Sequence, residues 1–336
     1  MDGVNSTIVS TRLRLARNID GLPFPHKLAE IPARQITDQV ERALSPVDKF
    51  TRYDVSDISR LDGTILQEKH LISPDLLQDS PFGAALISAD ENVSIMVNEE
   101  DHIREQVILS GLSLDQAYDR VNRIDDVLSK NLNFAYDRRF GYLTSCTTNL
   151  GTGMRASVMM FLPALTIENM IDACITDVGR LNMTVRGVYG EGSKADGYLY
   201  QVSNQRTLGL KESDILDSVK SAINHIVDAE LRARQLLKRD EAELKDKIYR
   251  AWGIVTNAYK LSTGEAMQYL AMIRLGGYYG YFDISDLDKL QRLLSECQPA
   301  SMQKLGGNSM SVDERDVLRA KYVAATLGAI CAKKDK

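Results

Sequence analysis

Five arginines in the first two thirds of the chain have the residue type and spacing needed to bind a polyphosphate. They are Arg12, Arg14, Arg104, Arg155 and Arg186. In STRLRLAR, Arg12 and Arg14 alternate, so both side chains point the same way if that segment is extended. Guanidinium groups bind phosphate through paired hydrogen bonds and stay charged at any physiological pH. Each one alone is an ordinary surface arginine, and a polyphosphate site requires that the segments meet in space.

Two carboxylates and one thiol have positions that suit chemistry on a cationic substrate. Glu100 lies in the acidic run 98–102, which follows an apolar segment and is either a solvated turn or a site at a sheet edge. Glu191 lies between two glycines in GEGS. Carboxylates can grip a guanidinium through charge-assisted hydrogen bonds and accept its proton. Cys146 opens the turn TTNLGTG and is either a buried, inert thiol or, near arginines, a thiolate.

The composition argues against several other classes of function. The chain has 336 residues, 44% hydrophobic and 26% charged, as in ordinary soluble globular proteins. Its net charge of −5 excludes a broadly basic surface, so no direct nucleic-acid partner is expected. No apolar stretch approaches the ~18 residues of a membrane span, and arginines interrupt the first segment where a signal peptide would be apolar. These features predict a cytoplasmic protein with no membrane partner.

The sequence lacks the common motifs for binding zinc and for binding ATP. The four cysteines and four histidines are scattered without any zinc-binding pattern, so no metal ligands are predicted among the side chains. Neither GxxxxGK[ST] nor the motif set of the protein kinases occurs. If the protein handles ATP, arginines must hold the phosphates.

The apolar periodicity predicts mixed strands and helices over the first two thirds of the chain, followed by helices alone. Short strands are predicted at 84–88, 93–97, 141–145, 184–188 and 198–202. A helix at 114–128 is predicted to begin with Ser113 as its N-cap, and an apolar helical stretch to start at Arg155. Later helices are predicted at 213–238, after a capping box of Ser262 and Glu265, at 286–297 and at 313–326.

Four segments resemble a known family when they are taken together: STRLRLARN, VNEEDHIR, CTTNLGTGMRASV and RGVYGEGSKADGYLYQVSNQRTLG. Spread in this order from Ser10 to Gly209, they are similar to the motifs of the phosphagen (guanidino) kinase superfamily. The resemblance implies transfer of the γ-phosphoryl group of MgATP to a guanidinium nitrogen, with Mg²⁺ held mainly through the nucleotide phosphates. It implies an α+β fold, in which a catalytic domain (1–235) has a central antiparallel sheet flanked by helices and an all-α domain (236–336) follows.

The same resemblance implies roles for individual residues. Glu100 and Glu191 match the two carboxylates that hold and deprotonate the guanidinium, and Cys146 matches the active-site cysteine beside it. Thr147 departs from the family, which usually has proline there, so the Cys146 loop is expected to be looser or to gain a hydrogen bond. The ATP-binding positions that the resemblance implies are Ser10, Thr11, Arg12, Leu13, Arg14, His70, Arg104, Arg155, Ala156, Ser157, Val158, Met159, Arg186, Gly187, Val188, Tyr189 and Gly190.

Within the superfamily, the chain is more similar to the bacterial protein arginine kinases than to the kinases of small guanidines. The latter carry a helical domain before the first motif, which begins here at Ser10, and lack a helical extension after about residue 235. The motif RDxxRA, which supplies Arg315, Asp316, Arg319 and Ala320, matches a phosphoarginine-binding allosteric pocket of the protein arginine kinases. Arg315 and Arg319 are four residues apart and share a helix face, so both can reach one phosphate.

This closer resemblance also implies partners. They are protein substrates bearing arginine, a heat-shock repressor, a Clp ATPase with its protease, a zinc-containing activator, and a second copy of the chain in a homodimer. Two alternatives stay open at this point: a phosphoarginine-binding adaptor with weak or no kinase activity, and a kinase of free arginine or another small guanidine. The presence of both Glu100 and Glu191 argues against the adaptor, because a pure binding protein needs neither carboxylate.

Overall fold

The fold is taken from a computed structural model that describes residues 3–188, 195–307 and 309–334. One large antiparallel sheet organises the first two thirds of the chain. The strands are β1 (Ile8–Arg17), β2 (Phe50–Asp54), β3 (Ala84–Ser88), β4 (Val93–Val97), β5 (Ile103–Ser110), β6 (Tyr136–Asp137), β7 (Gly141–Tyr142), β8 (Met154–Phe161), β9 (Met183–Gly187), β10 (Leu199–Asn204), β11 (Phe282–Ile284) and β12 (Cys331–Lys333). Within the described residues, eight strands form the sheet in the order β2-β3-β4-β5-β1-β8-β10-β9.

Helices pack on this sheet and form most of the rest of the molecule. They are α1 (Gly3–Thr7), α2 (Glu30–Leu44), α3 (Arg60–Glu68), α4 (Pro74–Gln78), α5 (Leu114–Asn131), α6 (Pro163–Ile167), α7 (Ile171–Gly179), α8 (Glu212–Leu237), α9 (Glu241–Asn257), α10 (Thr263–Tyr278), α11 (Leu287–Glu296), α12 (Pro299–Gly306) and α13 (Val312–Ile330). The α+β fold with a central antiparallel sheet flanked by helices, predicted from the resemblance, is confirmed.

The central strand β1 shows why the two faces of the sheet differ. Its apolar residues Leu13 and Leu15 are fully buried, whereas Arg12 and Arg14 alternate with them and are only partly buried. Successive side chains of a strand point to opposite faces, so leucines and arginines face different sides. The helix α5 contacts β1 and β5, and it buries an apolar stripe at helical spacing. One face of the sheet is therefore core, and the other carries arginines.

Two local predictions of secondary structure are wrong for the same reason. The apolar stretch from Arg155 is not helical but is strand β8, which is hydrogen-bonded between β1 and β10. The strand predicted at 141–145 is reduced to β7, which has two residues. Ser113 is the N-cap residue of α5 as predicted, although its side chain makes no capping bond and its Oγ donates to the carbonyl of Ser110 instead. Short apolar runs do not distinguish helix from strand, and tertiary pairing decides between them.

The C-terminal helices share a core with the sheet domain. The capping box of Ser262 and Glu265 begins α10 as predicted, and the predicted helices at 213–238, 286–297 and 313–326 correspond to α8, α11 and α13. Buried side chains of α10 belong to the same hydrophobic cluster as those of β1. The carboxylate of Glu68, at the end of α3, accepts hydrogen bonds from the backbone N–H groups of Ala300 and Ser301 at the start of α12. In the described residues, no helix is both long and apolar enough to cross a membrane.

Candidate functional site

The register of the sheet brings the five predicted arginines to one face. Across the β1–β8 ladder Arg14 lies opposite Arg155, and across the β1–β5 ladder Ala16 lies opposite Arg104. Residues that face each other across a ladder point to the same side of the sheet. On β9, Arg186 is opposite Gln201 of β10. The sequence prediction that Arg12 and Arg14 point the same way is confirmed, and the strand pairing supplies the other three.

All five arginines line one cavity of about 360 Å³, here called the central cavity. Burial and the positive charges of Arg155 and Arg104 lower the pKa of Arg12 to about 10. Burial first, and then the neighbouring arginines, lower the pKa of Arg14 well below its usual value. Among the described residues, the Nε atoms of Arg12 and Arg14 are buried without a hydrogen-bond partner. The cavity is thus built to receive a multiply charged anion.

Glu100 reaches the same cavity and is held by one of its arginines. Arg104 Nη2 donates to Glu100 Oε2 at 2.5 Å, and Arg104 Nη1 donates to the buried Glu99 at 2.8 Å. Burial raises the pKa of Glu100, whereas the charge of Arg104 acts in the opposite direction. A half-buried carboxylate with a raised pKa is closer to the proton affinity that a general base requires at neutral pH.

The acidic run 98–102 is a buried part of the site rather than a solvated turn, since only Glu100 in it is more than slightly exposed. Asp101 is fully buried, and its Oδ1 accepts hydrogen bonds from Asn18 Nδ2 and from the backbone N–H of Ser145, each at 2.7 Å. Because Ser145 precedes Cys146, Asp101 fixes the start of the cysteine loop. We regard Asp101 as a positioning residue, which the sequence analysis did not identify.

Cys146 lines the central cavity and is partly exposed, whereas the other three cysteines are buried. Its Sγ lies 3.0 Å from the hydroxyl oxygen of Thr148. Thr147, where the family usually has proline, is exposed and is the first residue of a short 3₁₀ turn, Thr147–Asn149. The first position of a helical turn leaves its N–H without an internal partner, which is why proline is tolerated there. Threonine accordingly fits the turn as well as proline would.

A second cavity of about 280 Å³, the helix-side cavity, adjoins the central one and shares Arg12 and Gln201 with it. His70 lines it, and burial together with the charge of Arg12 lowers the pKa of His70 to about 4. The imidazole is therefore neutral at physiological pH. Other predicted ATP-binding residues in this wall are Ser10, Met159 and Val188, and the helical part of the chain contributes Asp288 and Gln291 from α11.

The remaining predicted ATP-binding residues fall into three groups. Four alternate with the cavity residues on β1 and β8 and are fully buried on the core side of the sheet, so they support the strands rather than line the cavity: Thr11, Leu13, Ala156 and Val158. Ser157 accepts a hydrogen bond from Gln201 Nε2, and Gly187 ends β9. Tyr189, Gly190 and the predicted catalytic Glu191 lie outside the described residues.

Two polar residues of β10 also belong to the site and were missed from the sequence. Ser203 accepts a hydrogen bond from Arg155 Nη2 at 3.1 Å, and Gln201 bridges the two cavities. Both lie within the motif RGVYGEGSKADGYLYQVSNQRTLG, and their alternation on a strand was the available signal. In the described part of the chain, no cluster of three or more histidine, cysteine or acidic side chains could hold a metal ion.

The RDxxRA motif lies on α13, away from the cavities just described. Arg319 is almost fully buried, and it donates to the carbonyl oxygens of Cys297 and Leu261 and to the carboxylate of Asp316. Arg315 is half-buried and donates to the carbonyl oxygen of Met310 at 2.9 Å. Ala320 is buried. Arg319 thus already has acceptors within the fold, whereas Arg315 is the more exposed of the two arginines.

Two family models match the chain one after the other. The model for the C-terminal catalytic domain of the ATP:guanido phosphotransferases matches residues 33–233. The model for the C-terminal domain of the protein-arginine kinase McsB matches residues 241–336. Together they extend over both the sheet domain and the helices that follow it.

Curated relatives match over nearly their whole length. A protein-arginine kinase of Caldanaerobacter subterraneus subsp. tengcongensis is 44% identical over 326 residues, which make up 95% of this chain and 96% of that protein. A protein-arginine kinase of Clostridium kluyveri is 42% identical over 325 residues, covering 95% of this chain and 94% of that protein.

Solved structures of related kinases share the fold. Lombricine kinase superposes with a TM-score of 0.60 at 25% identity, over 69% of this chain and 67% of that chain. A duplicated taurocyamine kinase from Schistosoma mansoni, solved with transition-state-analogue components, gives a TM-score of 0.62 at 25% identity, over 78% of this chain and 39% of that chain. The motifs, the arginine-lined cavity and these matches agree, and the chain belongs to the ATP:guanido phosphotransferase family, within its protein-arginine kinase branch.

Proposed function

We propose that the protein transfers the γ-phosphoryl group of MgATP to arginine side chains of protein substrates. The observation that carries this proposal is the central cavity, where five arginines meet Glu100 and Cys146. One end of such a site suits a polyphosphate and the other suits a guanidinium. The names of the relatives, which are protein-arginine kinases, support a protein-bound acceptor over a small one.

The arginines are fitted to hold the nucleotide phosphates. The buried Nε atoms of Arg12 and Arg14 have no partner among the described residues, and an anion would supply one. The same anion would offset both the burial and the neighbouring positive charges that lower the pKa of the two arginines. His70 and the apolar residues of the helix-side cavity would then contact the nucleoside, because that cavity opens at Arg12. In phosphoryl transfer, positioning and charge stabilisation of this kind supply most of the catalysis.

Glu100 and Cys146 are assigned to the acceptor arginine. A guanidinium is a poor nucleophile because its lone pairs are delocalised and its pKa is above ~12. Glu100 holds the guanidinium and accepts a proton while the nitrogen attacks phosphorus and the bond to the β-phosphate oxygen breaks. Cys146 orients the guanidinium from the side. We assign Glu191 as the second gripping carboxylate, on the family resemblance alone.

Magnesium would be coordinated mainly by phosphate oxygens and water, which is its usual mode with nucleotides. When bound, it neutralises charge that develops on the phosphates during transfer. The residues of this chain nearest to that charge are the arginines of the central cavity.

The test is phosphorylation-site mapping under non-acidic conditions. Purified protein and MgATP are incubated with an arginine-rich protein acceptor, and with free arginine in a parallel tube. We expect acid-labile phosphate on protein arginines. Phosphate on free arginine alone would reassign the protein to the small-guanidine kinases, and binding of phosphoarginine without any transfer would make it an adaptor.

Variants connect the reaction to the assigned carboxylates. Glu100→Gln and Glu191→Ala are each expected to lower the rate by ~10²-fold or more, since both remove a group that contacts the acceptor. Glu168→Gln, an exposed glutamate after α6, is the matched control and should retain wild-type activity. Full activity in both Glu100→Gln and Glu191→Ala would contradict the mechanism.

We extend the proposal to regulation and partners on the family resemblance. Phosphoarginine is proposed to bind at Arg315, Asp316, Arg319 and Ala320 and to control activity, with Arg315 as the more accessible contact. The helical domain (236–336) is proposed to support a homodimer, and the enzyme to act in the cytoplasm. Substrates marked in this way are proposed to include a heat-shock repressor and to be degraded by a Clp ATPase and its protease, with a zinc-containing protein as activator. Phosphoarginine titration of wild type and Arg315→Ala tests the regulatory part.

A further inference from the structure

Three cavities adjoin one another, and the central cavity shares lining residues with each of the other two. The helix-side cavity shares Arg12 and Gln201 with the central cavity. The central cavity shares Asp75 and Glu100 with a third one, the acidic cavity, of about 630 Å³. Nucleoside and phosphates would occupy the first two, and Glu100 stands at the boundary with the third. The acidic cavity therefore lies on the side from which the acceptor arginine reaches Glu100.

The charge of the acidic cavity is negative and only partly compensated. Glu99 and Glu100 are both paired with Arg104. Asp75 lies in the first turn of α4 and Asp79 directly follows this helix; both line the cavity and are exposed, and neither makes an ion pair with any described residue. The only basic-type side chain in the cavity lining is that of the exposed His26, within the part of the chain that the structure describes. Two carboxylates thus remain available for a cationic ligand.

The side chain of Asn98, in the wall of the same cavity, also has a hydrogen-bond acceptor that no described residue uses. Asn98 lines the acidic cavity, is 5% exposed and has a backbone φ of +56°. Its Nδ2 donates to the carbonyl oxygen of Ala33 at 2.9 Å, which fixes the orientation of the amide. Its Oδ1 is buried and accepts no hydrogen bond from the described residues. An unmet buried acceptor is costly, so a ligand with N–H groups would be favoured here.

We propose that the acidic cavity binds the polypeptide segment that flanks the target arginine, and that Asp75 and Asp79 select segments with a lysine or arginine next to the target. This inference rests on the proposed protein-arginine kinase activity and names its substrate class. A free guanidine compound would fill the region around Glu100 and leave most of the cavity vacant. A peptide brings backbone N–H groups for Asn98 and a second positive charge for the two aspartates.

The test compares peptides that share one target arginine and differ in the neighbouring residues, which are lysine, alanine or glutamate. Wild-type kcat/KM is expected to be highest for the lysine peptide and lowest for the glutamate peptide, by roughly fivefold per charge at low salt. Asp79→Lys should abolish the preference for the lysine peptide, because the new positive charge offsets the negative charge that remains at Asp75. Asp79→Asn should reduce the difference between the two peptides.

The control is Asp228→Lys, which makes the same charge change at an exposed position of α8 outside the three cavities. It should keep the wild-type order of the peptides. Equal kcat/KM for the lysine and glutamate peptides in wild type, or an Asp79→Lys order that matches the Asp228→Lys order, would overturn the inference while leaving the kinase activity established. If no peptide were phosphorylated by any variant or by wild type, the proposed function would fail, and this inference with it.

Discussion

Arg14 and Arg155 stand directly opposite each other across the ladder of β1 and β8, so two guanidinium groups share one face of the sheet. Burial and neighbouring arginines lower the pKa of both groups. Like charges at facing positions are destabilising, and desolvation adds to the cost. The proposed function explains this arrangement, because a bound polyphosphate would offset the cost of bringing the two arginines together.

Replacing Arg14 by methionine should separate stability from activity. Arg14→Met keeps an apolar stem of similar length and removes one of the repelling charges, so the free energy of unfolding is expected to rise by ~1 kcal/mol. Phosphoryl transfer should fall by ~10³-fold, the size of effect expected for an arginine that contacts the transferred group. Denaturant unfolding and initial rates measure the two effects.

The matched control for this substitution is Arg239→Met, at an exposed position between α8 and α9. It should leave both stability and rate within experimental error. If Arg14→Met proved less stable than wild type, the interpretation of Arg14 as a destabilising, functional charge would be wrong.

Cys146 should be the one cysteine that controls activity when the native protein is alkylated. Cys174, Cys297 and Cys331 are buried, and burial raises the pKa of their thiols to about 11, 12 and 12. Iodoacetamide reacts with accessible thiolates, so mass spectrometry should find Cys146 modified first, in step with loss of transfer activity. Cys146→Ser should be insensitive to the reagent. If the protein with alkylated Cys146 kept its full activity, the assignment of the Cys146 thiol to the acceptor site would be wrong.

Glu230 should be essential for stability although it lies far from the reaction. Its carboxylate is fully buried, accepts from the backbone N–H groups of Ala164 and Leu165, and pairs with the buried Arg234 at 2.8 Å. Glu230→Ala leaves the buried Arg234 without a counter-charge and two buried N–H donors without an acceptor, and urea unfolding should show a loss of ~3–5 kcal/mol.

The double variant Glu230→Met with Arg234→Met provides the comparison. Removing both charges replaces an ion pair by apolar packing, so the double variant should be more stable than Glu230→Ala. An equal loss in the two proteins would mean that packing volume, and not the unpaired charge, determines the effect.

His70 should make the protein less stable as the pH falls below 6.5. The native pKa is lowered to about 4, mainly by burial, whereas the unfolded chain has the ordinary value of 6.5. Between these values the unfolded state takes up a proton that the native state does not, so acid favours unfolding by at most about 3 kcal/mol. In His70→Gln this part of the pH dependence should disappear, while the exposed His225→Gln should retain it. Free energies of unfolding of wild type and both variants, measured from pH 7 to pH 4, test this; an unchanged pH dependence in His70→Gln would contradict the prediction.

The sequence was sufficient for the family and for five of the thirteen described helices, namely α5, α8, α10, α11 and α13. Four motifs of many residues each survive in order, and the apolar stripes of α5, α8, α11 and α13 repeat at helical spacing over two turns or more. Patterns of that length identify a helix reliably, because apolar residues recur on the same helix face over several turns. The alternation of Arg12 and Arg14 also predicted correctly that they share a face.

The pairing of the strands determined which site residues come together, and the local sequence pattern could not predict this. Arg104, Arg155 and Arg186 come from three different strands, and only the registers of β5, β8 and β9 bring them to the cavity of Arg12. The same pairing turned the stretch after Arg155 into a strand instead of a helix. The burial of Asp101 and its hydrogen bond to the Cys146 loop likewise depend on long-range contacts. Sequence patterns report which residues share a face of one element, whereas hydrogen bonds between elements distant in the chain determine which faces meet.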